Sequence, residues 1–162
     1  MEHARLATAD DLDALVTLWD LAVRELDGVR GGSLLAGTLV RDDLGAYLAD
    51  GLEDPDRLLV VGLIDEVLVG IGSVICDRSR RQTVGHLELI FVDPSARQIG
   101  VAEAMVEIVL SWCSEKACVG IDAPALPGNR PAKAFFEEQG FLARLLVMHH
   151  PLNAGGPGGR PT

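Results

Sequence analysis

The segment from residue 88 to residue 102 carries the residue types of an anion-binding site. An apolar, strand-like run ends at Val92, a turn follows, and Arg97 and Gly100 open the most regular helical pattern in the chain. The first N–H groups of a helix lack intrahelical partners and lie at the positive end of its dipole, so they bind anions. Gly100 and Ala102 leave the backbone open to close approach. The pattern predicts a phosphate or pyrophosphate cradle; small residues that only let the helix pack on a sheet are the alternative.

A second segment whose residue types could serve a site begins about 30 residues later. Asn129 can cap a helix that has Pro131 in its first turn and Gly140 at its end. Phe135 and Phe136 are adjacent, so at least one of them should face the sheet. Taken alone, this segment predicts an ordinary capped helix with a core phenylalanine.

Hydrophobic periodicity predicts the elements that must position these two segments. Their order indicates an α/β fold, with a mixed sheet and helices on its faces. The predicted strands are 4–7, 57–64, 67–76, 86–92, 118–123 and 141–149, and the predicted helices are 12–27, 41–50, 99–113 and 131–139.

The length of 162 residues suggests one domain, which we place at residues 1–152, followed by a flexible Gly/Pro-rich tail at 153–162. The formal charge of −10 disfavours nucleic acid as a partner. Three cysteines without CxxC spacing predict neither a disulfide framework nor a metal site. The N-terminus resembles no secretory signal and the longest apolar runs are short, so we expect a cytoplasmic protein that does not enter the membrane.

Taken together, the two segments resemble the GNAT N-acetyltransferases. The first, Arg97-x-x-Gly100-x-Ala102, is similar to the family's acyl-CoA signature [Q/R]-x-x-G-x-[G/A]. The second, Asn129-x-x-Ala132-x-x-x-Phe136-Glu137-x-x-Gly140-Phe141, is similar to the family's N-x-x-A-x-x-x-Y-E-x-x-G-F. The opening Arg5-x-Ala7-Thr8-x-Asp10 also resembles the family's first strand and helix, so the likeness spans residues 4–150. It implies the GNAT fold: a central mixed, largely antiparallel sheet with two splayed strands and helices on both faces.

The resemblance also implies acetyl-CoA as co-substrate and an amine as acceptor, on either a small molecule or a protein lysine or N-terminus. The pantetheine arm would lie between the strands that end near Val92 and Ala123, and backbone amides of the cradle would hold the pyrophosphate. The residues that would hold the donor are Phe91, Val92, Arg97, Gln98, Ile99, Gly100, Val101, Ala102, Asn129 and Phe136.

Catalysis would require a base, because an amine with a pKa of about 10.4 arrives protonated. The resemblance favours Glu88, four residues before Val92, with His86 in reserve; a carboxylate serving only to hold the sheet together is the alternative. Many family members protonate the leaving thiolate with a tyrosine where this chain has Phe136, and Tyr47 lies in a different, early helix. The rival readings are an acyl-CoA-binding protein with little activity and a nucleotide-binding domain that does not use CoA.

Two further expectations concern surfaces. Arg30, among glycines in the predicted loop at 28–32, either binds an acceptor carboxylate or faces solvent. Homodimers are common in the family, and the apolar run 145–148 in the last predicted strand offers a pairing edge.

Overall fold

The structure is a computed structural model that describes residues 1–152, where five strands and five helices form. The strands are β1 (Glu2–Leu6), β2 (Arg57–Ile64), β3 (Val67–Asp77), β4 (Val84–Val92) and β5 (Gly120–Asp122). The helices are α1 (Leu12–Asp27), α2 (Gly32–Leu39), α3 (Leu44–Glu53), α4 (Val101–Glu115) and α5 (Arg130–Glu138). The expected tail at 153–162 lies outside the described residues.

The strands form one sheet in the order β1-β2-β3-β4-β5. The first four strands pair antiparallel and β5 pairs parallel to β4, so the sheet is mixed and largely antiparallel, as predicted. Helices cover both faces because the strands present apolar side chains on both sides. Leu15, Trp19 and Leu48 from α1 and α3 pack on one face, and Met105 and Val109 from α4 pack on the other.

An irregularity in β4 places Glu88. Ser73 of β3 pairs with Leu89 while its neighbour Val74 pairs with Leu87, so Glu88 is an extra residue in the ladder. Such a bulge lets two successive side chains lie on the same side of the strand. Leu87 packs with the α4 core and Leu89 with the α1 and α3 core, and the carboxylate of Glu88 reaches the α3 side with Leu89.

The splay that the family resemblance implies is present between β4 and β5. Their pairing is confined to residues 84–86 of β4 and 120–122 of β5, whereas β4 continues to Val92. Beyond His86, the backbone on this edge of β4 therefore borders an opening rather than a neighbouring strand. The opening leads directly to the start of α4.

Two of the predicted elements need correction, and one helix was not predicted. The glycine-rich connection after α1 leads into that unpredicted helix, α2. The helix predicted at 41–50 is α3, which begins at Leu44 because the side chain of Asp43 accepts the Ala46 N–H at 2.9 Å. The predicted last strand, Phe141–His149, is wrong: residues 141–150 have no regular structure and nearly all are exposed. A strand forms only where another strand edge pairs with it, and β5, with three residues, offers little edge to a nine-residue partner.

Candidate active site

A cavity of about 780 Å³ occupies the opening between the splayed strands. Its walls come from the second half of β4, the start of α4, the start of α5 and one side of α1 and α2. The sequence-predicted residues on this wall are Glu88, Phe91, Val92, Arg97, Gln98, Gly100, Val101, Ala102, Asn129 and Phe136. Ile99, also predicted, does not line the cavity and is about half exposed.

Glu88 reaches this cavity from the bulge in β4, with only 11% of its side chain exposed. Three donors hold its carboxylate. The Tyr47 hydroxyl donates to Oε1 at 2.7 Å, Arg41 Nη2 donates to Oε1 at 3.2 Å, and the buried Ser73 hydroxyl donates to Oε2 at 2.8 Å. These bonds fix the direction of the carboxylate and occupy most of its lone pairs. Of the two lone pairs on Oε2, one accepts none of these three hydrogen bonds.

Tyr47 is itself tightly held behind Glu88. The Arg57 and Arg41 guanidinium carbons lie 3.9 and 4.3 Å from its ring centroid, and Trp19 packs edge-on at 5.9 Å. Burial raises the pKa of the Tyr47 hydroxyl above its usual value of 10.0, so the phenol is a neutral donor at physiological pH. Its single O–H points at Glu88, and Tyr47 does not line the cavity.

The start of α4 has the geometry of an anion cradle. Gln98 and Gly100 both adopt left-handed backbone angles, with φ of +66° and +92°, and Gly100 is the N-cap of α4. A turn of this kind gathers successive N–H groups on one side and makes a concave anion site. At Gly100 a side chain would be strained by its φ and would meet Glu2, which explains the glycine.

Arg97 bridges two walls of the cavity. Its Nη2 donates to Oε2 of Glu25 on α1 at 2.6 Å, and its Nε donates to the Val92 carbonyl at 2.9 Å. Its guanidinium also lies 5.5 Å from the Phe91 ring centroid. The one cationic side chain on the cavity wall, among residues 1–152, is therefore already paired with a carboxylate.

The opposite wall comes from the start of α5. Asn129 caps this helix, because its Oδ1 accepts the Ala132 N–H at 3.3 Å. The buried Phe136 ring packs against Phe135 and Phe141, with centroids 5.5 and 5.2 Å away. It presents a hydrocarbon surface to the cavity where a phenol would present an O–H.

Some residues predicted for the site lie away from the cavity, and some side chains that contact Glu88 were not predicted. His86 does not line the cavity; its Nε2 lies 3.5 Å from Oδ2 of Asp77. Arg30 is exposed and also lies off the cavity wall. Tyr47 and Arg41 carried no sequence signal, but a serine at position 73 in an otherwise apolar strand was a signal for a buried polar contact.

Comparisons with known proteins identify the family to which this fold belongs. Residues 33–141 match the acetyltransferase (GNAT) family. Aminoglycoside N(6')-acetyltransferase type 1 from Salmonella typhimurium is 31% identical over 116 residues, which cover 65% of this chain and 78% of that protein. The same enzyme from Salmonella enteritidis matches equally well.

Solved structures share the fold at lower sequence identity. Aminoglycoside acetyltransferase AAC(6')-Iy, solved with a bisubstrate analogue of CoA and acetylneamine, superposes with a TM-score of 0.73 at 21% identity, covering 93% of this chain and 97% of that one. Glucosamine-6-phosphate N-acetyltransferase from Arabidopsis thaliana gives a TM-score of 0.67 at 16% identity, covering 94% and 99%. With the family match, the splayed sheet and the cradle at α4, the chain belongs to the GNAT acetyltransferase family and is an acyl-CoA-dependent N-acetyltransferase.

Proposed function

We propose that this enzyme transfers an acetyl group from acetyl-CoA to a primary amine of a cationic small molecule by direct attack, with Glu88 as the general base. The observation that carries the proposal is the position of Glu88, whose carboxylate reaches the cavity between the splayed strands while three donors fix it from behind. The donor has room in a cavity of about 780 Å³ that ends at an anion cradle.

The donor would be held mainly by backbone groups. Because β5 pairs only with residues 84–86 of β4, backbone groups of Phe91 and Val92 would meet the pantetheine amides in the splay, and Arg97 Nε would then share or release the Val92 carbonyl that it now contacts. The N–H groups from Gln98 to Ala102 would bind the pyrophosphate, helped by Arg97 once it leaves Glu25. Asn129 and Phe136 would contact the arm from the other side.

The reaction can be written with Glu88 as the only acid–base side chain. Its carboxylate takes one proton from the ammonium group, directly or through a water molecule, and the free amine attacks the thioester carbonyl carbon. The nitrogen loses its second proton to solvent as the C–S bond breaks. Phe136 cannot donate a proton and the Tyr47 O–H is committed to Glu88, so the thiolate leaves as an anion and takes its proton from water. A thiol pKa near 8.5 makes that departure feasible.

The acceptor we propose is a small molecule with several amines, of the aminoglycoside type. The carboxylates of Glu25, Glu88, Glu103 and Glu138 line the cavity against the single arginine at 97. The relatives from Salmonella carry aminoglycoside N(6')-acetyltransferase as their name. A cationic acceptor would therefore meet a negative field as it enters.

The test of the base is the variant Glu88→Gln, assayed by release of CoA thiol with a panel of aminoglycosides and simple amines. We expect kcat/KM at neutral pH to fall about 10²–10⁴-fold, the usual contribution of a general base. Glu115→Gln, an exposed glutamate at the end of α4, is the matched control and should keep full activity. Full activity of Glu88→Gln at and below neutral pH would show that another group takes the proton.

We also propose that the protein is a homodimer in which residues 141–152 contact a second copy. This segment exposes an unusual amount of apolar surface for its length. More than 80% of each of Leu142, Leu145 and Met148 is exposed. Arg144 Nη2 lies 2.9 Å from Oδ2 of Asp122, which holds the segment beside β5, the outermost strand of the sheet. Sedimentation should give the mass of two chains for the intact protein and of one chain for Leu145→Asp; a monomeric parent at micromolar concentration contradicts the proposal.

A further inference from the structure

Three cysteines that are far apart in sequence meet at the closed end of the splay. Cys76 lies near the end of β3, Cys113 lies in α4, and Cys118 follows α4 just before β5. The Sγ atoms of Cys76 and Cys118 are 3.3 Å apart. The two side chains therefore already point at each other across 42 residues of chain.

The strand β4, which lies between β3 and β5, leaves space for the three thiols at Gly85. Gly85 of β4 is the ladder partner of both Cys76 in β3 and Ile121 in β5. A methyl group at Gly85 would come within 2.8 Å of Cys113 Sγ and 3.4 Å of Ile121. The absent side chain at Gly85 leaves the space in which the thiols gather.

The three thiols differ in access to solvent. Cys76 and Cys113 are buried, and desolvation raises their pKa values to about 11 and about 12. Cys118 is half-buried, and Arg78 lies beside the group: its Nη2 contacts the Lys116 carbonyl at 3.4 Å, and its Nε pairs with Asp56 at 2.9 Å. A dissolved reagent thus meets Cys118 first, with Cys76 directly behind it.

We propose that Cys76 and Cys118 form a disulfide when the protein meets a small-molecule disulfide oxidant. The Cys118 thiolate attacks one sulfur of the oxidant, and the other half leaves as a thiol. Cys76 then attacks Cys118 Sγ, and the second half leaves as a thiol. Two protein thiols lose two electrons and two protons, and the oxidant gains both.

The bridge would tie the end of β3 to the start of β5. Both cysteines lie at the end of the sheet where β4 and β5 are paired, and neither lines the cavity. The oxidised enzyme should therefore keep its activity at moderate temperature. Closing a loop of this length restricts the unfolded chain, so the melting temperature should rise by about 5–15 °C.

The experiment uses the reduced full-length protein, incubated with oxidised glutathione, blocked with an alkylating reagent and mapped by mass spectrometry. Before alkylation, we expect a protein lighter by two hydrogen atoms. After unfolding in denaturant and alkylation, we expect a single cross-linked peptide pair joining Cys76 to Cys118 and an alkyl group on the otherwise buried Cys113. Cys113→Ala should form the same bridge, whereas Cys118→Ala should form none and should not gain thermal stability.

Several outcomes would overturn the proposal. They are full alkylation of Cys76 and Cys118 after oxidation, a bridge through Cys113, and a glutathione adduct that persists on Cys118 without closing. Each of these outcomes is measured by mass spectrometry on the parent protein, so the result does not depend on how well the alanine variants fold.

Discussion

At the scale of single residues, the contacts behind Glu88 support its proposed role as the general base. A carboxylate with free rotation would sample many directions, and only a few would serve an amine in the cavity. Tyr47, Arg41 and Ser73 each hold one of its oxygens, so the remaining lone pair is directed before any substrate binds. Preorganisation of this kind lowers the entropic cost of reaching the reactive geometry.

Replacing Tyr47 with phenylalanine tests this role, because it removes one hydroxyl and keeps the ring between Arg41 and Arg57. A hydrogen bond to a charged group is worth about 1.5–3 kcal/mol, so we expect kcat/KM to fall about 10–100-fold. The loss should fall on kcat, with little change in KM for the amine, because the hydroxyl contacts Glu88 and does not line the cavity.

The measurement is kcat and KM of Tyr47→Phe beside the parent enzyme, with the same amine acceptor. The melting temperature serves as control, because the packing of the ring against Trp19 is retained. A loss confined to KM, or one matched by a fall in melting temperature, would assign Tyr47 a purely structural role.

At the scale of elements, the cavity depends on where β4 and β5 stop pairing and on how the start of α4 is held against the sheet. The bulge at Glu88 turns two neighbouring side chains toward α3, and the short β5 leaves the edge of β4 open. On the other side of the sheet, α4 packs on β2, where Gly62 admits it closely: a methyl at Gly62 would meet Val101 Cγ1 at 2.3 Å. Close packing of α4 on the sheet fixes the cradle relative to Glu88.

The junction between β1 and α1 is held by an ion pair. Arg5 donates twice to the Asp11 carboxylate, at 2.7 and 3.0 Å, and the Thr8 N–H donates to it at 2.8 Å. The hydrogen bonds from Arg5 are the largest cause that lowers the pKa of Asp11 from 3.8 to about 2. A carboxyl with a lowered pKa in the folded state stabilises the protein above its unfolded pKa and loses that contribution as the pH falls through the folded value.

Asp11→Asn should therefore be less stable than the parent by about 1–2 kcal/mol near neutral pH, a figure reduced because Arg5 is 40% exposed. The difference should shrink between about pH 4 and pH 2 as Asp11 becomes protonated in the parent. Urea unfolding of both proteins across this range measures it. A gap that stays constant down to about pH 2 would show that the ion pair does not produce it.

At the scale of the whole molecule, charge is the basis for the proposed preference for a cationic acceptor. The chain carries 24 acids against 14 Lys and Arg, for a formal charge of −10. Because four glutamates line the cavity, the overall field and the local field act in the same direction on a cationic acceptor. No helix of residues 1–152 has the length and apolar character of a membrane span.

If this field guides the acceptor, ionic strength should change KM according to the charge of the amine. Between about 0.02 and 0.3 M salt, we expect KM for an aminoglycoside with several amines to rise about 3–10-fold, because the Debye length becomes short. KM for a monoamine should change much less. Equal salt dependence for the two acceptors would remove the field as a determinant of acceptor choice.

The sequence alone was sufficient for the elements whose signals are local. The cap and glycine around α5, the periodicity of α1 and α4, and the small residues at the cradle each depend on neighbours within a few positions. The order of the predicted elements indicated the mixed sheet, and the family resemblance implied the splay and most of the residues that line the cavity. Local signals failed for the last strand, because a strand exists only where another edge pairs with it, and β5 is three residues long.

Only the tertiary structure decided which distant side chains share one place. Tyr47 and Arg41 lie 41 and 47 positions from Glu88, and Cys118 lies 42 positions from Cys76. No periodicity links such positions, since their contacts arise from how α3 crosses β4 and how α4 returns the chain to β5. The sequence thus identified the family and the cradle, and the fold supplied the partners that orient the proposed base.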